Sequence, residues 1–242
     1  MGKRTGADDS DWTARDHALW TTAELALLMH QGRLKQRQAV PVPFAMQHSQ
    51  DEVPLAFGPF RLSSYEAWGD GSYVHDSSYV VARGRGAVPL MIGFGAAAAL
   101  GNASRRRRAA ALAQPRWTPI DSGTVTVSDY GFYLHTQTSV LPWGWNSIQL
   151  ATLIGPGALQ VMGRSTSGPV NWILESDWAE LVFLFWATVR CPGHEQLQGR
   201  TWLPDEWVTK AFVHSRQGAG YPDAEAFRAV SRGLGMGFQQ HT

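Results

Sequence analysis

Hydrophobic residues near the start of the chain recur at helical spacing, and those further on alternate with polar residues. Thr21 and Glu24 stand at capping-box spacing, and the apolar residues that follow fall on one side of a helix. This pattern predicts an amphipathic helix over residues 22–37. Pro41 and Pro43 end it, because proline cannot continue a helix.

From residue 53 onward, short aromatic and β-branched segments alternate with turn signals. The segments are LAFGPFRLSSYEAW and SYVHDSSYVVA, followed after residue 122 by GTVTVSD, GFYLHT, WNSIQLATLI, ALQVMG and VNWILE. Turn residues such as Asp70-Gly71 and Gly155-Pro156-Gly157 separate neighbouring segments. This rhythm predicts seven antiparallel strands rather than βαβ units.

Residues 176–191 replace the strand rhythm with a helical one. Asp177 and Glu180 stand at capping-box spacing, and Pro192 ends the segment. The segment is too short to span a bilayer, so we expect its broad apolar face to lie on the sheet.

Four segments share a recognisable hydrophobic pattern. They are Gly123-Thr124-Val125-Thr126-Val127-Ser128, Gly131-Phe132-Tyr133-Leu134, Trp143-Gly144-Trp145-Asn146-Ser147-Ile148, and the Pro169-to-Leu174 strand that leads into the Trp178 helix. With them, the stretch from Trp117 to Arg190 resembles the bacterial PH-like (pleckstrin-homology, GRAM-like) domain family. The resemblance implies an α+β fold, in which a seven-stranded antiparallel PH-like sheet or barrel is capped by a C-terminal helix. A helical insertion would separate strands two and three.

This interpretation divides the chain into three parts. Residues 1–50 form a polar segment and the amphipathic helix, and residues 51–192 form the PH-like domain. Within that domain the helical insertion covers 84–116. Residues 193–242 form a C-terminal helical extension.

The insertion carries the most unusual run of the chain, VPLMIGFGAAAALGNASRRRR. Gly93, Ala97 and Gly101 are spaced four apart, so they share one face of a helix that another backbone can approach closely. Four arginines follow this face, at Arg105, Arg106, Arg107 and Arg108. A helix of about 20 Å is shorter than the bilayer core of about 30 Å, so it does not span.

Three interpretations of this run stay open. The favoured one is a helix packed against the core or a second copy of the chain, with the arginines in solvent. The second is a shallow contact between the arginines and an anionic membrane surface. Nucleic acid is disfavoured, because no aromatic residues are interleaved with the basic ones.

Composition narrows the class of protein further. Hydrophobic residues make up 44% of the chain and charged residues 17%, which suits a folded core. The net charge of +1 argues against a surface built throughout for nucleic acid. The single cysteine, Cys191, excludes an intrachain disulfide and a CxxC metal site. The first residues lack a leader pattern, so we expect a cytoplasmic location, with peripheral membrane contact as an option.

No catalytic motif, cofactor motif or metal-ligand spacing appears in the sequence. We therefore predict a non-enzymatic docking module that binds a protein partner, a second copy of itself or an anionic membrane. Trp143 and Trp145, which alternate on a predicted strand, join the Gly93–Arg108 helix as the predicted contact surface. The alternative for the tryptophans is a tryptophan-rich core.

Two other classes of function remain as alternatives. The first is an unrecognised hydrolase or nucleotide-handling enzyme on a β-rich scaffold, which requires His75, His135 or His194 to converge with acidic residues. The second is a structural component of a larger assembly, such as a phage or secretion particle.

Overall fold

The computed structural model describes residues 12–66, 114–166, 168–217 and 220–236. The chain divides into two compact units, Met1–Ser63 with Pro119–Thr242, and Ser64–Thr118. In the second unit, the rings of Tyr65 and Trp117 contact each other with their centroids 5.2 Å apart.

The described strands form one antiparallel sheet. They are β1 (Pro54–Glu66), β2 (Arg116–Ser128), β3 (Gly131–His135), β4 (Val140–Gly144), β5 (Ile148–Gly155), β6 (Ala158–Ser165) and β7 (Gly168–Glu175). Seven strands lie in the order β4-β3-β2-β1-β7-β6-β5, with β4 and β5 at the two edges. The predicted antiparallel sheet is therefore confirmed, but it does not close into a barrel.

The order of the strands places the first strand at the centre of the sheet. β2, β3 and β4 follow one another outward from β1 to one edge. A short 3-10 turn, Trp145–Ser147, then leads into β5 at the opposite edge, and β6 and β7 return to β1. The β2–β3 and β5–β6 turns lie where the sequence predicts them, because both carry strong local turn residues.

The strand assignment differs from the prediction at β4, and one predicted strand is untested. The sequence pattern missed β4, because its five residues include Pro142 and Gly144 and show no clear alternation. The predicted strand SYVHDSSYVVA lies outside the described residues, as does the predicted insertion up to residue 113.

The described helices are α1 (Ala14–His30), α2 (Ala179–Arg190), α3 (Glu195–Gln198), α4 (Asp205–Arg216) and α5 (Ala224–Gly233). The predicted range 22–37 for the first helix is wrong at both ends. α1 begins after Thr13, whose backbone N–H donates to the Asp16 carboxylate (2.7 Å) while its hydroxyl accepts from the Asp16 N–H (3.2 Å). This capping box lies earlier than the Thr21–Glu24 pair, which therefore falls inside the helix.

α2 is buried along most of its length, from Ala179 to Ala187. The Trp186 indole N–H donates to the Ile148 carbonyl of β5 (3.2 Å), and that of Trp178 donates to the Phe57 carbonyl of β1 (2.8 Å). The predicted capping role of Glu180 is wrong, because its carboxylate turns inward to Arg15 instead.

Buried side chains of the described residues form a hydrophobic core that joins the sheet to the helices on its core face. It includes Trp20 of α1, Phe132 of β3, Phe183 of α2, Trp207 of α4 and Phe227 of α5. This core contains side chains that precede and follow residue 50, and others that precede and follow residue 192. It therefore crosses both predicted boundaries. The three-part division of the chain stays a prediction.

Candidate functional site

The two tryptophans of the predicted contact surface lie in the core. Trp143 is 5% exposed and Trp145 is 4% exposed. The Trp143 ring packs edge-on against Trp172 with centroids 4.8 Å apart, and the Trp145 indole N–H donates to the Asp129 carbonyl (3.1 Å). Neither side chain is available to a partner as placed, so the alternative of a tryptophan-rich core describes this pair.

The other predicted contact residues belong to the predicted helical insertion. Gly93, Ala97 and Gly101 lie outside the described residues, and so do the arginines at 105–108. Their roles in packing and in lipid or phosphate binding stay predictions.

The histidines named for the enzyme alternative have separate surroundings where they are described. His135 packs edge-on against Phe44, with centroids 5.9 Å apart. His194 packs against Phe183 (5.1 Å), and its Nδ1 caps α3 by accepting from the Gln196 N–H (3.2 Å). His75 lies outside the described residues, and within those residues no three metal-ligating side chains gather into a metal site.

A cleft of about 800 Å³ opens between α1, α2 and the C-terminal helices. Its floor is apolar and includes buried Leu184 of α2, buried Leu203 before α4 and half-buried Val208 of α4. A concave surface of this size with an apolar floor is typical of binding sites. The cleft is therefore our candidate functional site.

The rim of the cleft carries the charged side chains. Arg200, Arg232, Asp205 and His30 all line it and are exposed. Among the described residues, neither arginine has a carboxylate partner within ion-pair distance. Within the described part of the chain, the rim thus carries two guanidinium groups without a carboxylate partner and one carboxylate, that of Asp205.

Arg200 is held in place by an unusual backbone conformation. Its φ of 57° lies in the left-handed region, which costs a residue with a side chain about 1–2 kcal/mol. The guanidinium Nη1 donates to the Gly235 carbonyl (2.7 Å), just beyond the end of α5. At Gly235, φ is 61°, and a Cβ would lie 3.3 Å from the guanidinium Nη2. Strained residues of this kind cluster at functional sites.

A second polar cluster lies beside the β2–β3 hairpin and is fully internal. The buried carboxylate of Glu52 accepts from the Ser128 hydroxyl, the Tyr133 hydroxyl (2.7 Å) and the His48 backbone N–H (3.0 Å). Burial raises the pKa of Tyr133 to about 12, and the Glu52 carboxylate adds to this while the Gln47 backbone N–H opposes it. Because Ser128 and Tyr133 are 0% exposed, this cluster holds the loop before β1 on the sheet rather than reaching a substrate.

A neighbouring group of charged residues, largely exposed to solvent, also holds this loop in place. Lys35 donates to the carboxylates of Asp129 (2.6 Å) and Asp51 (3.2 Å). The Ser49 hydroxyl, followed by Lys35 and Tyr130, lowers the pKa of Asp51 to about 2. The sequence offered no signal for either cluster, because the bonds that join the loop to the sheet connect residues 76 or more positions apart along the chain.

The comparisons with known proteins supply no family or function for this chain, so the proposal for its function is based on the site. The sequence matches no family model, no curated protein and no solved structure. Within the part of the chain that the structure describes, no helix is both long enough and apolar enough to cross a membrane.

Proposed function

We propose that this chain is a non-enzymatic docking module whose cleft binds an apolar segment of a partner protein that carries a carboxylate. The observation behind this proposal is the cleft of about 800 Å³ with Arg200 and Arg232 beside its apolar floor. The floor supplies the apolar area that dominates binding energy, and the arginines orient the segment.

The charges on the rim narrow the kind of segment. A carboxylate can accept two parallel hydrogen bonds from a guanidinium, which gives direction as well as attraction. Asp205 on the same rim repels a segment that is acidic throughout. One carboxylate next to apolar side chains therefore fits the cleft better than a run of acidic residues.

We also propose that the chain belongs to the bacterial PH-like family. The support is the seven antiparallel strands followed directly by α2, with the first and last strands side by side. A docking role is consistent with this family, although a fold alone does not define a function.

The experiment that tests the docking role uses a displayed library of random peptides selected on the immobilised protein. We expect enrichment of peptides that place an Asp, a Glu or a C-terminal carboxylate beside apolar residues. A synthetic copy of an enriched peptide is then titrated by fluorescence anisotropy. Arg232→Gln should weaken its binding about tenfold, which corresponds to about 1.4 kcal/mol.

The control is Arg228→Gln, which removes an exposed arginine from the same helix without touching the cleft. Thermal unfolding of both variants checks that the fold is kept. Selection that enriches no acidic apolar peptide, or equal binding to the Arg232 variant and wild type, contradicts the proposal. Binding of anionic vesicles by wild type, with no peptide selected, points instead to the membrane alternative.

A further inference from the structure

The two edges of the sheet differ in how they avoid pairing with another chain. An edge strand presents free backbone N–H and C=O groups, which invite a further strand. β4 is only five residues long and contains Pro142, which has no N–H to donate. β5 is longer, Ile148–Gly155, and contains no proline. Its edge therefore needs another form of protection.

The side chain of Gln196 occupies the edge of β5. The Leu153 backbone N–H donates to the Gln196 Oε1 (3.0 Å), and the Gln196 Nε2 donates to the Leu153 carbonyl (2.8 Å). A carboxamide offers the same donor and acceptor as a peptide group, so this pair of bonds imitates a neighbouring strand. Further along the edge, the Trp186 indole N–H donates a hydrogen bond to the Ile148 carbonyl (3.2 Å).

The helix that carries Gln196 is anchored in the core. The His194 Nδ1 accepts from the Gln196 backbone N–H, and the His194 ring packs against Phe183 and Trp186 at 5.1 and 5.8 Å. These contacts fix the start of α3 beside β5. The carboxamide is thus held at the edge by packing as well as by its own hydrogen bonds.

The outer face of β5 is apolar and open to solvent. Leu150 is 45% exposed and Ile154 is 50% exposed. Leu150 lies opposite Met162 of β6, which is 39% exposed, so the apolar surface continues onto the next strand. An exposed apolar strand at a sheet edge is a site of unwanted association when its backbone is free.

We propose that Gln196 is an edge-blocking residue that keeps β5 closed to a second copy of this chain. A second copy is the occupant that fits, because two β5 strands related by a two-fold axis can pair antiparallel through the same residues. That pairing would provide hydrogen-bond partners for the free backbone groups of β5 in both copies. It would also join the Leu150 and Ile154 side chains of both copies into one apolar patch.

The test replaces Gln196 with alanine and measures mass by light scattering across a range of protein concentrations. Gln196→Ala should approach twice the mass of wild type as concentration rises, whereas Gln198→Ala on the same helix should follow wild type. In dilute samples, the Leu153 amide should exchange with solvent at least about tenfold faster in Gln196→Ala, because its acceptor is gone.

Two further variants keep the test decisive. Leu150→Lys in the Gln196→Ala background should restore the wild-type mass, because a charge on the outer face opposes pairing through β5. If Gln196→Ala fails to fold, Gln196→Glu is measured instead. This variant lacks the donor to the Leu153 carbonyl, so its mass should also rise above that of wild type as concentration increases. Wild-type mass in the edge variants, unchanged Leu153 exchange in Gln196→Ala, or association that survives Leu150→Lys would each overturn the proposal.

Discussion

The ion pair between Arg15 and Glu180 offers the sharpest test of how the helices are joined to the sheet. The Glu180 side chain is 3% exposed, and its Oε1 lies 2.5 Å from the Arg15 Nη2. The Arg15 Nη1 donates to Oε2 (3.3 Å), and the Gly157 N–H in the β5–β6 turn donates to Oε1 (2.9 Å). One carboxylate therefore ties α1, α2 and the turn together.

Replacing Glu180 with glutamine removes the charge but keeps the shape. Breaking a buried ion pair by removing one partner costs about 3–5 kcal/mol, because the remaining charge is left uncompensated. The Arg15 side chain is 25% exposed, so part of its charge regains contact with water. We therefore expect a loss of about 2–3 kcal/mol in the free energy of unfolding. For a chain of this length, this lowers Tm by about 4–12 °C.

The assay is urea unfolding followed by tryptophan fluorescence and by far-UV circular dichroism. Glu206→Gln serves as the control, since Glu206 is exposed on α4 and should change stability by less than about 0.5 kcal/mol. A double-mutant cycle with Arg15→Met isolates the pair, and we expect a coupling energy of at least about 1 kcal/mol.

Two results would refute this reasoning. The first is a Glu180→Gln variant whose unfolding free energy matches that of the control. The second is additivity of the Arg15 and Glu180 substitutions, which would show that the residues act independently although they are in contact.

Two further predictions concern charge. Burial opposes ionisation of Asp16, but hydrogen bonds from Lys210 and Thr13 outweigh it, so its pKa lies below the ordinary 3.8. The stability that Asp16 contributes is thus present above pH 3.8 and is lost as pH falls through the lower folded pKa. Asp16→Asn should lose about 1–2 kcal/mol at pH 7, and urea unfolding across pH should show this gap closing below 3.8; a gap that persists in acid contradicts the assignment. The membrane interpretation of the arginines at 105–108 predicts that wild type pellets with phosphatidylserine vesicles and that a variant with all four changed to Gln does not. Equal pelleting excludes this role.

The sequence predicted those features of the fold that depend on neighbours along the chain. The Gly155-Pro156-Gly157 turn and the residues between β2 and β3 specify hairpins locally, so their strands were identified. The prediction misplaced the start of α1 because it relied on the Thr21–Glu24 pair, which lies inside the helix, whereas Thr13 and Asp16 form the capping box in the structure. β4 was missed because its pairing with β3, rather than its own pattern, makes it a strand.

The candidate site depends on contacts that no local pattern records. The alternation of Trp143 and Trp145 predicts that they share a side, but it does not say whether that side faces the core or the solvent. The cleft is assembled from separate helices, and Arg200 becomes a rim residue through its bond to Gly235. The assembly of the cleft and the Arg200–Gly235 bond both join residues that are distant in sequence, so local patterns do not predict them.

The central position of β1 affects how the protein is made. β1 ends at Glu66 and its neighbour β7 begins at Gly168, so about 100 residues must be added before β1 is paired on both sides. At about 5–20 residues per second, one side of β1 stays open for about 5–20 s on the ribosome. During that interval the nascent chain exposes the hydrogen-bonding groups that the finished sheet hides at its centre. Agents that bind extended backbone would therefore compete with folding at β1 before they could act at either edge.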